Sequence, residues 1–247
     1  MTLPPLSPNA WLRWDLVSRL LPPDAHTVLE VGCGQGGFGV RLAQRYRYLG
    51  LEPDRASFEV ARARFAATAT ARGAEVRNGD LSVVGPAETF DVVCAFEVLE
   101  HIEHDAKAVA EWADRLRPGG WLILSTPAFQ HRFGPADVMV GHHRRYDPPV
   151  MAQVLGDAGL TSIDVHQFGG GLGYVLEAGR NLAGRYRMAT RAQTSMAEKT
   201  GGSGRLFQPT SGLRGAITDY GTLPFRWWER RFPGHGPGLV ARAQAPA

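Results

Sequence analysis

The sequence predicts an α/β protein in which helices alternate with the strands of a parallel sheet. Short apolar runs recur along the chain, and proline, glycine or aspartate separates each run from an amphipathic stretch. Strands and helices that alternate at this length form βαβ units. Because their crossovers are right-handed, the carboxyl ends of the parallel strands meet at one edge of the sheet.

The first half of the chain contains these elements in order. An amphipathic helix is predicted over residues 8–21, and Pro22-Pro23-Asp24 ends it. Asp54 and Asp105 can cap later helices, and Pro118-Gly119-Gly120 is predicted to stop the helix that Asp105 begins. The strands and helices between residues 26 and 126 are predicted at Thr27–Val31, 37–46, Tyr48–Glu52, 55–67, Glu75–Arg77, Phe90–Ala95, 105–117 and Trp121–Ser125.

The second half begins with a long loop rich in histidine, arginine and glycine, predicted over 126–146. A helix with proline in its first turn is expected from Asp147 to Gly159. Ile163–Phe168 is read as a sixth strand and Gly238–Ala243 as a short closing strand. The chain is thus predicted to comprise an N-terminal helical segment (1–25), a core (26–171), a mainly helical insertion (172–236), and a closing strand with tail (237–247).

The predicted insertion differs from the core in composition. Residues 174–200 are interpreted as an arginine-rich helix, and Gly201–Gly204 as a flexible loop. Arg226–Phe232 is basic and aromatic, and we interpret it as a helix that packs its two tryptophans under the insertion. The alternative is contact with a membrane surface or an acidic partner.

Composition excludes several classes of protein. A length of 247 residues and 44% apolar residues suit one α/β domain with additions. A net charge of +3 is too slight to demand a nucleic-acid partner. Cys33 and Cys94 lie in a glycine turn and a strand, so they predict packing residues in a reducing compartment rather than a disulfide framework. No leader pattern and no apolar window of about 18 residues is found, so a cytoplasmic location is expected.

The most informative stretch is V-L-E-V-G-C-G-Q-G-G-F-G at residues 28–39. It predicts a buried strand, a glycine turn and the start of a helix, and the missing Cβ atoms let the backbone approach a ligand closely. The glycine spacing also fits a dinucleotide site, in which Glu52 would bind a ribose. However, a dinucleotide needs a free helix N-terminus for its pyrophosphate. Glu30 would repel that group and attract an ammonium-bearing ligand instead.

Four later motifs follow the glycine turn in order. They are Gly50-Leu51-Glu52-Pro53-Asp54, Gly79-Asp80, F-D-V-V-C-A-F-E-V-L-E-H-I at 90–102, and L-R-P-G-G-W-L at 116–122. With the turn, they strongly resemble class I S-adenosylmethionine-dependent methyltransferases over about residues 26–168. The resemblance implies a Rossmann-like, doubly wound seven-stranded sheet of order 3-2-1-4-5-7-6 with an antiparallel last strand. It also implies S-adenosylmethionine as cofactor and S-adenosylhomocysteine as product.

The resemblance assigns roles to individual residues. Glu30 and the glycine turn would hold the methionine part of the cofactor, and Glu52 would accept hydrogen bonds from the ribose hydroxyls. Asp80 would read the adenine amino group, although a simple turn residue is the alternative. Phe96 and Glu97 would line the floor near the methyl group. The complete set of cofactor-binding candidates is Glu30, Gly32, Cys33, Gly34, Gly36, Glu52, Pro53, Asp80, Leu81, Phe96 and Glu97.

Glu97, Glu100 and His101 share one face of the helical turn predicted after the fourth strand. Two carboxylates and an imidazole could bind a divalent cation, with His142 as a fourth ligand. This pattern resembles the metal-dependent ubiquinone-pathway O-methyltransferases and small-RNA 2′-O-methyltransferases. Metal-free relatives share the Glu-x-x-Glu-His stretch, so a general base or pocket wall at His101 is favoured over a metal ligand.

The run Gly141–Tyr146 supplies the other catalytic candidates. His142 or His143 could deprotonate an acceptor, since an unperturbed imidazole titrates near pH 6.5. Arg144 and Arg145 could bind an acidic group of a substrate or pair with acids of the protein itself. The sequence leaves these two interpretations open.

Together these features predict S-adenosylmethionine-dependent methylation of a small-molecule acceptor, chiefly at oxygen. The rivals are a methyltransferase of RNA or protein, a non-catalytic cofactor-binding subunit, and a nicotinamide-dependent oxidoreductase. The insertion is expected to cover the edge near the methyl donor and to form part of the acceptor pocket. The sequence leaves open the identity of the acceptor, a peripheral membrane contact and the oligomeric state.

Overall fold

The computed structural model describes residues 3–68, 73–190 and 212–247. The helices are α1 Pro8–Leu20, α2 Gly39–Leu42, α3 Arg55–Ala67, α4 Asp105–Ala113, α5 Pro135–Val140, α6 Pro148–Asp157, α7 Gly170–Thr190 and α8 Gly212–Arg231. The strands are β1 Thr27–Val31, β2 Arg47–Glu52, β3 Glu75–Asn78, β4 Phe90–Phe96, β5 Leu116–Pro127, β6 Thr161–Phe168 and β7 Gly238–Gln244. The predictions for residues 191–200 and for the Gly201–Gly204 loop fall outside the described residues.

The strands form one seven-stranded sheet in the order β3-β2-β1-β4-β5-β7-β6. β7 runs antiparallel to both of its neighbours, and the ladders among the first five strands are parallel. This confirms the predicted order and the antiparallel last strand. The candidate site residues therefore follow strands that end at a common edge.

Apolar side chains cover both faces of the sheet, as a doubly wound fold requires. On one face, Leu122 and its neighbours pack with Trp112 of α4 and Met151 of α6. On the other face, Ile123 belongs to a cluster that includes Leu12 of α1 and further residues of α2 and α3. Side chains that alternate along β5 thus belong to two separate apolar layers, and α1 packs in one of them.

Three local predictions were wrong in their boundaries. α2 spans only Gly39–Leu42, because glycines crowd its start. α4 ends at Ala113, and Pro118-Gly119-Gly120 lies inside β5, where the pairing with β4 shifts register. Gly119 has φ +74°, so the motif forms a bulge-like irregularity of the strand rather than a helix stop. The predicted 126–146 loop also contains α5.

The two helices of the insertion dock on different parts of the core. On α7, the Asn181 side-chain oxygen accepts a hydrogen bond from the Ala136 N–H of α5 at 3.1 Å. On α8, the Arg230 guanidinium pairs with Asp15 of α1. The Thr218 hydroxyl donates to the Leu6 carbonyl at 3.0 Å. The N-terminal helix and the insertion are therefore joined by polar contacts.

α8 directs its polar residues inward and its aromatic residues outward. Thr222 and Arg226 are buried, whereas Trp227 and Trp228 are 65% and 55% exposed. The interpretation that the two tryptophans pack under the insertion was therefore wrong. The helix presents an exposed apolar face, a feature that often marks an interaction surface. Among the described helices, none combines the length and apolar character needed to cross a membrane.

Candidate active site

The turn between β1 and α2 depends on glycine. Gly32 and Gly34 adopt φ values of +69° and +55°, which side-chain-bearing residues rarely take. A Cβ atom at Gly32 would also lie 2.6 Å from a methyl carbon of Val98. The Cys33 N–H donates to the Leu51 carbonyl at 2.8 Å, which ties the turn to β2. The Cys33 thiol is buried, as expected for a packing residue, and burial raises its pKa.

Glu52 ends β2 directly beside this turn. Its carboxylate accepts hydrogen bonds from the Gly34 N–H and the Asp54 N–H, both at 2.8 Å. The side chain is buried, and its backbone carbonyl accepts from the Gly79 N–H at 3.1 Å. A carboxylate can accept about four hydrogen bonds. Glu52, the predicted ribose-binding acid, thus lies between the glycine turn and the loop that carries Gly79 and Asp80.

Glu30 lies within β1 and is almost completely buried. Its carboxylate accepts a hydrogen bond from the Tyr48 hydroxyl at 2.6 Å. Burial raises the pKa of Glu30 to about 8, Tyr48 partly opposes this rise, and the charge of Glu52 adds to it. The group is therefore mainly protonated at neutral pH in the ligand-free protein. A nearby ligand ammonium would favour its ionised form.

The raised pKa of Glu30 predicts a pH-dependent stability. The unfolded chain releases this proton near pH 4.5 and the folded protein near pH 8, so the stabilisation is complete at low pH and is lost as pH rises between these values. Urea unfolding at several pH values should show the decline, and Glu30→Gln should flatten it. The exposed substitution Glu111→Gln is the control. An equally steep decline in Glu30→Gln would contradict the assignment.

Asp80 organises the loop that follows β3. Its carboxylate caps a one-turn helix at Leu81–Val83 by accepting from the Ser82 N–H at 2.9 Å, and hydrogen bonding from Ser82 lowers the pKa of Asp80. Asp80 is exposed and Leu81 is half-buried. Pro53 follows Glu52, and its carbonyl accepts a hydrogen bond from the Asn78 side chain at 3.2 Å. The structure thus shows the turn role of Asp80, and its contact with adenine stays a prediction.

Phe96 and Glu97 lie at the carboxyl end of β4. Phe96 is buried against the edge of Phe38, with ring centroids 5.1 Å apart. Glu97 has φ +56°, a strained conformation of the kind found at functional sites. Its N–H donates to the Ser125 carbonyl at 2.9 Å, and its carboxylate pairs with Arg13 of α1 at 2.9 Å. Glu97 therefore connects the end of the central strand to the N-terminal helix.

Three of the four metal-ligand candidates come together. Ligand atoms of Glu100, His101 and His142 all lie within 4.8 Å of one another. Glu100 is fully buried, and within the described part of the chain neither of its carboxylate oxygens has a hydrogen-bond partner. Burial, together with the charge of Glu97, raises the pKa of Glu100 well above its usual range. We call Glu100, His101 and His142 the Glu-His-His cluster.

The two histidines of this cluster are held by their Nδ1 atoms. His101 Nδ1 lies 3.2 Å from the Gly141 carbonyl oxygen, and His142 Nδ1 lies 2.8 Å from a carboxylate oxygen of Asp137. Their rings meet edge to face at 4.6 Å. Burial and the neighbouring His142 lower the pKa of His101 to about 4, so its imidazole is neutral at physiological pH. The Nε2 atom of His142 lies 3.8 Å from Glu100.

Asp137 is a functional candidate that the sequence interpretation missed. Burial alone would raise its pKa, but hydrogen bonds from His142 and Arg145 lower that pKa to about 2. The residue is thus ionised and orients His142. Gly134-Pro135 and the left-handed Gly141 are ordinary start and stop signals of a short helix. They could have placed Asp137 one turn before His142.

The arginine pair of this loop binds acids of the protein itself. Arg145 is buried and pairs with Asp137 at 2.7 Å and with Glu177 of α7. Arg144 pairs with Asp105 at 2.9 Å. Of the two interpretations left open, the structure shows internal pairing. His143 is exposed, and its backbone N–H donates to the Glu100 carbonyl at 2.8 Å.

Comparison with known proteins identifies relatives of this chain. A family model described as a methyltransferase domain matches residues 9–165. A protein of Mycolicibacterium smegmatis described as a "probable S-adenosylmethionine-dependent methyltransferase" is 38% identical over 103 residues, which are 40% of this chain and 37% of the relative. Trans-aconitate 2-methyltransferase of Mycobacterium marinum is 31% identical over 114 residues, or 46% of this chain and 41% of the relative.

The matched parts therefore span about two fifths of the length of these curated relatives. Among solved structures, an S-adenosylmethionine-dependent methyltransferase of Mesorhizobium loti covers 94% of this chain and 97% of its own, with a TM-score of 0.59 and 17% identity. This likeness concerns the fold.

Proposed function

Because the chain belongs to the class I S-adenosylmethionine-dependent methyltransferase family, we propose that it transfers the methyl group of S-adenosylmethionine to a small molecule, chiefly at oxygen. The observation that carries the proposal is the Glu52 carboxylate, which links the glycine turn to the end of β2. A ligand lying across this edge would meet Glu30, Glu52 and Asp80 in turn. The methyl group would then lie toward Phe96 and Glu97.

The reaction is an in-line displacement at the sulfonium methyl. The acceptor oxygen forms the new bond to carbon, the carbon–sulfur bond breaks, and S-adenosylhomocysteine leaves with the bonding electron pair. The protein supplies mainly positioning and exclusion of water. In the proposed complex, the buried carboxyl ends of β4 and β5 would help to exclude water from the reacting atoms. The acceptor proton must leave when the nucleophile is a hydroxyl.

We further propose that the Glu-His-His cluster holds a divalent cation. The residues present fit such an ion, because a buried carboxylate with two unpartnered oxygens gains by binding a cation. The Asp137 carboxylate orients His142 as a neighbouring acid orients metal-bound histidines elsewhere. A cation there would supply Lewis-acid stabilisation to an acceptor oxygen. Glu97, the fourth candidate, pairs with Arg13 and lies outside the cluster.

Glu100→Gln gives a sharp test of the cation. Glutamine resembles the protonated carboxyl, so the variant should fold with native stability. Mn²⁺ or Zn²⁺ should raise the melting temperature of the native protein and of the exposed variant His143→Ala, but not that of Glu100→Gln. Activity of the native enzyme should vanish in excess chelator and return with the ion.

Full activity in excess chelator would end the cation proposal. In that case His142 becomes the favoured general base, because Asp137 holds its Nδ1 and leaves Nε2 available for the acceptor proton. His101 is the weaker candidate, since its pKa of about 4 lies far from the working pH.

Glu52→Ala should weaken S-adenosylhomocysteine binding by about 1–3 kcal/mol, because charge-assisted hydrogen bonds to the ribose are lost. Isothermal titration calorimetry measures the effect, and NADH in place of S-adenosylhomocysteine tests the dinucleotide rival. Glu59 is half-buried on α3, and the Glu59→Ala variant is the control. Unchanged affinity in a folded Glu52→Ala protein would remove Glu52 from the cofactor site.

A further inference from the structure

The outward sides of α7 and α8 are apolar. Of the fourteen large apolar side chains that are exposed in the described part of the chain, three lie on α7 and six on α8. Ile217 and Tyr220 are 63% and 71% exposed, so each lies mainly in water. On α8 the exposed side chains cluster on one side, because several of them fall within roughly a third of the helix circumference. We call Ile217, Tyr220, Trp227, Trp228 and Arg231 the outer face of α8.

The exposed positions of both helices carry no acid. Within residues 170–186 and 215–231 there are three acids, and none is fully exposed: Glu177, Asp219 and Glu229. Each of them pairs with an arginine or a backbone N–H of the protein. The exposed charged residues in these ranges are all arginines, namely Arg185, Arg230 and Arg231. The outward surface therefore combines apolar and cationic character and offers no negative charge.

The end of α8 joins a cation to two aromatic rings. The ring centroids of Trp228 and Phe232 lie 4.4 Å apart, and the Arg231 guanidinium lies 5.2 Å from the Phe232 centroid. Across the ranges that the structure describes, no carboxylate pairs with Arg231. The preceding residue, Arg230, pairs with Asp15 of α1 and so holds the outer face toward solvent. Arg231 is thus available to an anion outside the protein.

We propose that the outer face of α8 docks on an anionic lipid surface. Tryptophan and tyrosine favour the headgroup level of a membrane, where the ring is buried and its N–H or O–H stays hydrated. Arginines beside such rings gain from the negative potential of anionic lipids. The helix would lie in the plane of the surface, as helices with one apolar, basic face do. This docking is independent of the reaction proposed above.

A second copy of the chain fits this face less well. In a two-fold symmetric contact the outer face would meet itself, and Arg231 would approach a surface that bears only arginines as charged groups. No acid of that surface could compensate it, and an enclosed unpaired charge is costly. Lipid phosphates supply the missing negative charge.

Co-sedimentation of the full chain with vesicles tests the docking. Vesicles of phosphatidylglycerol and phosphatidylcholine in equal parts should bind the native protein, and vesicles of phosphatidylcholine alone should bind it much more weakly. Trp227→Ala with Trp228→Ala should weaken binding to the mixed vesicles about tenfold, and Arg231→Gln about fivefold. Arg47→Gln removes an exposed arginine at the start of β2, and this matched control should bind like the native protein.

Equal binding to both vesicle types, binding to neither, or full binding by the double tryptophan variant would each overturn the proposal. Circular dichroism checks the fold of the variants. If the double variant fails to fold, Arg231→Gln decides, and binding equal to that of Arg47→Gln would overturn the proposal. Sedimentation velocity without lipid tests the second copy. A dimer that dissociates in the double tryptophan variant would assign the outer face to self-association instead of lipid.

Discussion

The Arg145→Leu variant is expected to lose about 3–5 kcal/mol of unfolding free energy, because removing one partner leaves buried charges uncompensated. Arg145 is buried between Asp137 and Glu177, and its hydrogen bonds to them raise its pKa despite the opposing effect of burial. Urea unfolding measures the loss. The neighbouring variant Arg144→Leu removes a more accessible pair with Asp105 and should cost about 1 kcal/mol or less.

Two further variants make this expectation specific. Replacing all three members together, as Arg145→Leu with Asp137→Asn and Glu177→Gln, should recover part of the lost stability, because no unpaired charge is then left. If Arg145→Leu lost as little unfolding free energy as Arg144→Leu, the buried network would not contribute to the stability of the loop that carries His142.

Replacing residues 174–232 by a short linker is expected to abolish turnover and to leave S-adenosylhomocysteine binding intact. Glu30, Glu52 and Asp80 lie outside the deleted part, whereas the deletion removes Glu177, which pairs with Arg145, and the α8 contacts with α1. Calorimetry and a methyl-transfer assay measure the two properties, and circular dichroism checks the fold. The control is Trp227→Ala with Trp228→Ala in the full chain, which changes only exposed side chains and should keep turnover.

Normal turnover in the shortened protein would show that the insertion does not form the acceptor pocket. The exposed face of α8 would then be the first candidate for a partner or membrane contact, since Trp227, Trp228 and Arg231 combine aromatic and basic character there. Binding of the full chain to anionic vesicles, compared with the double tryptophan variant, would test that contact.

Local signals predicted the strands and turns around Gly32 and Glu52 well. The apolar run before Gly32 and the acid at Glu52 mark strand ends that can be recognised from a few neighbouring residues. The order of the strands in the sheet was predicted from the family resemblance instead. Pro118-Gly119-Gly120 was misread because the same residues stop a helix or distort a strand. Only pairing with β4 decides between these outcomes.

The contacts of the histidine loop and of the insertion were harder to predict because they join residues that are distant in sequence. Arg145 and Glu177 are 32 residues apart, and Arg230 and Asp15 are 215 residues apart. No local pattern reveals that α7 supplies an acid to the histidine loop. The tryptophans of α8 were misplaced for a related reason. Apolar residues predict burial in general, but here the buried face of α8 is polar, and Thr222 and Arg226 make hydrogen bonds within the helix itself.

The insertion leaves and rejoins the sheet at facing positions, since Phe168 of β6 pairs with Gly238 of β7. Its two ends are thus held about 5 Å apart, the spacing of adjacent strands. The entropy of closing a loop across such a fixed gap grows only slowly with its length. Segments of different length could therefore replace one another at this position during evolution, without altering the strands next to the glycine turn. Under the proposed function, such replacements would change the acceptor that is bound, while the strands that carry the glycine turn and Glu52 stay the same.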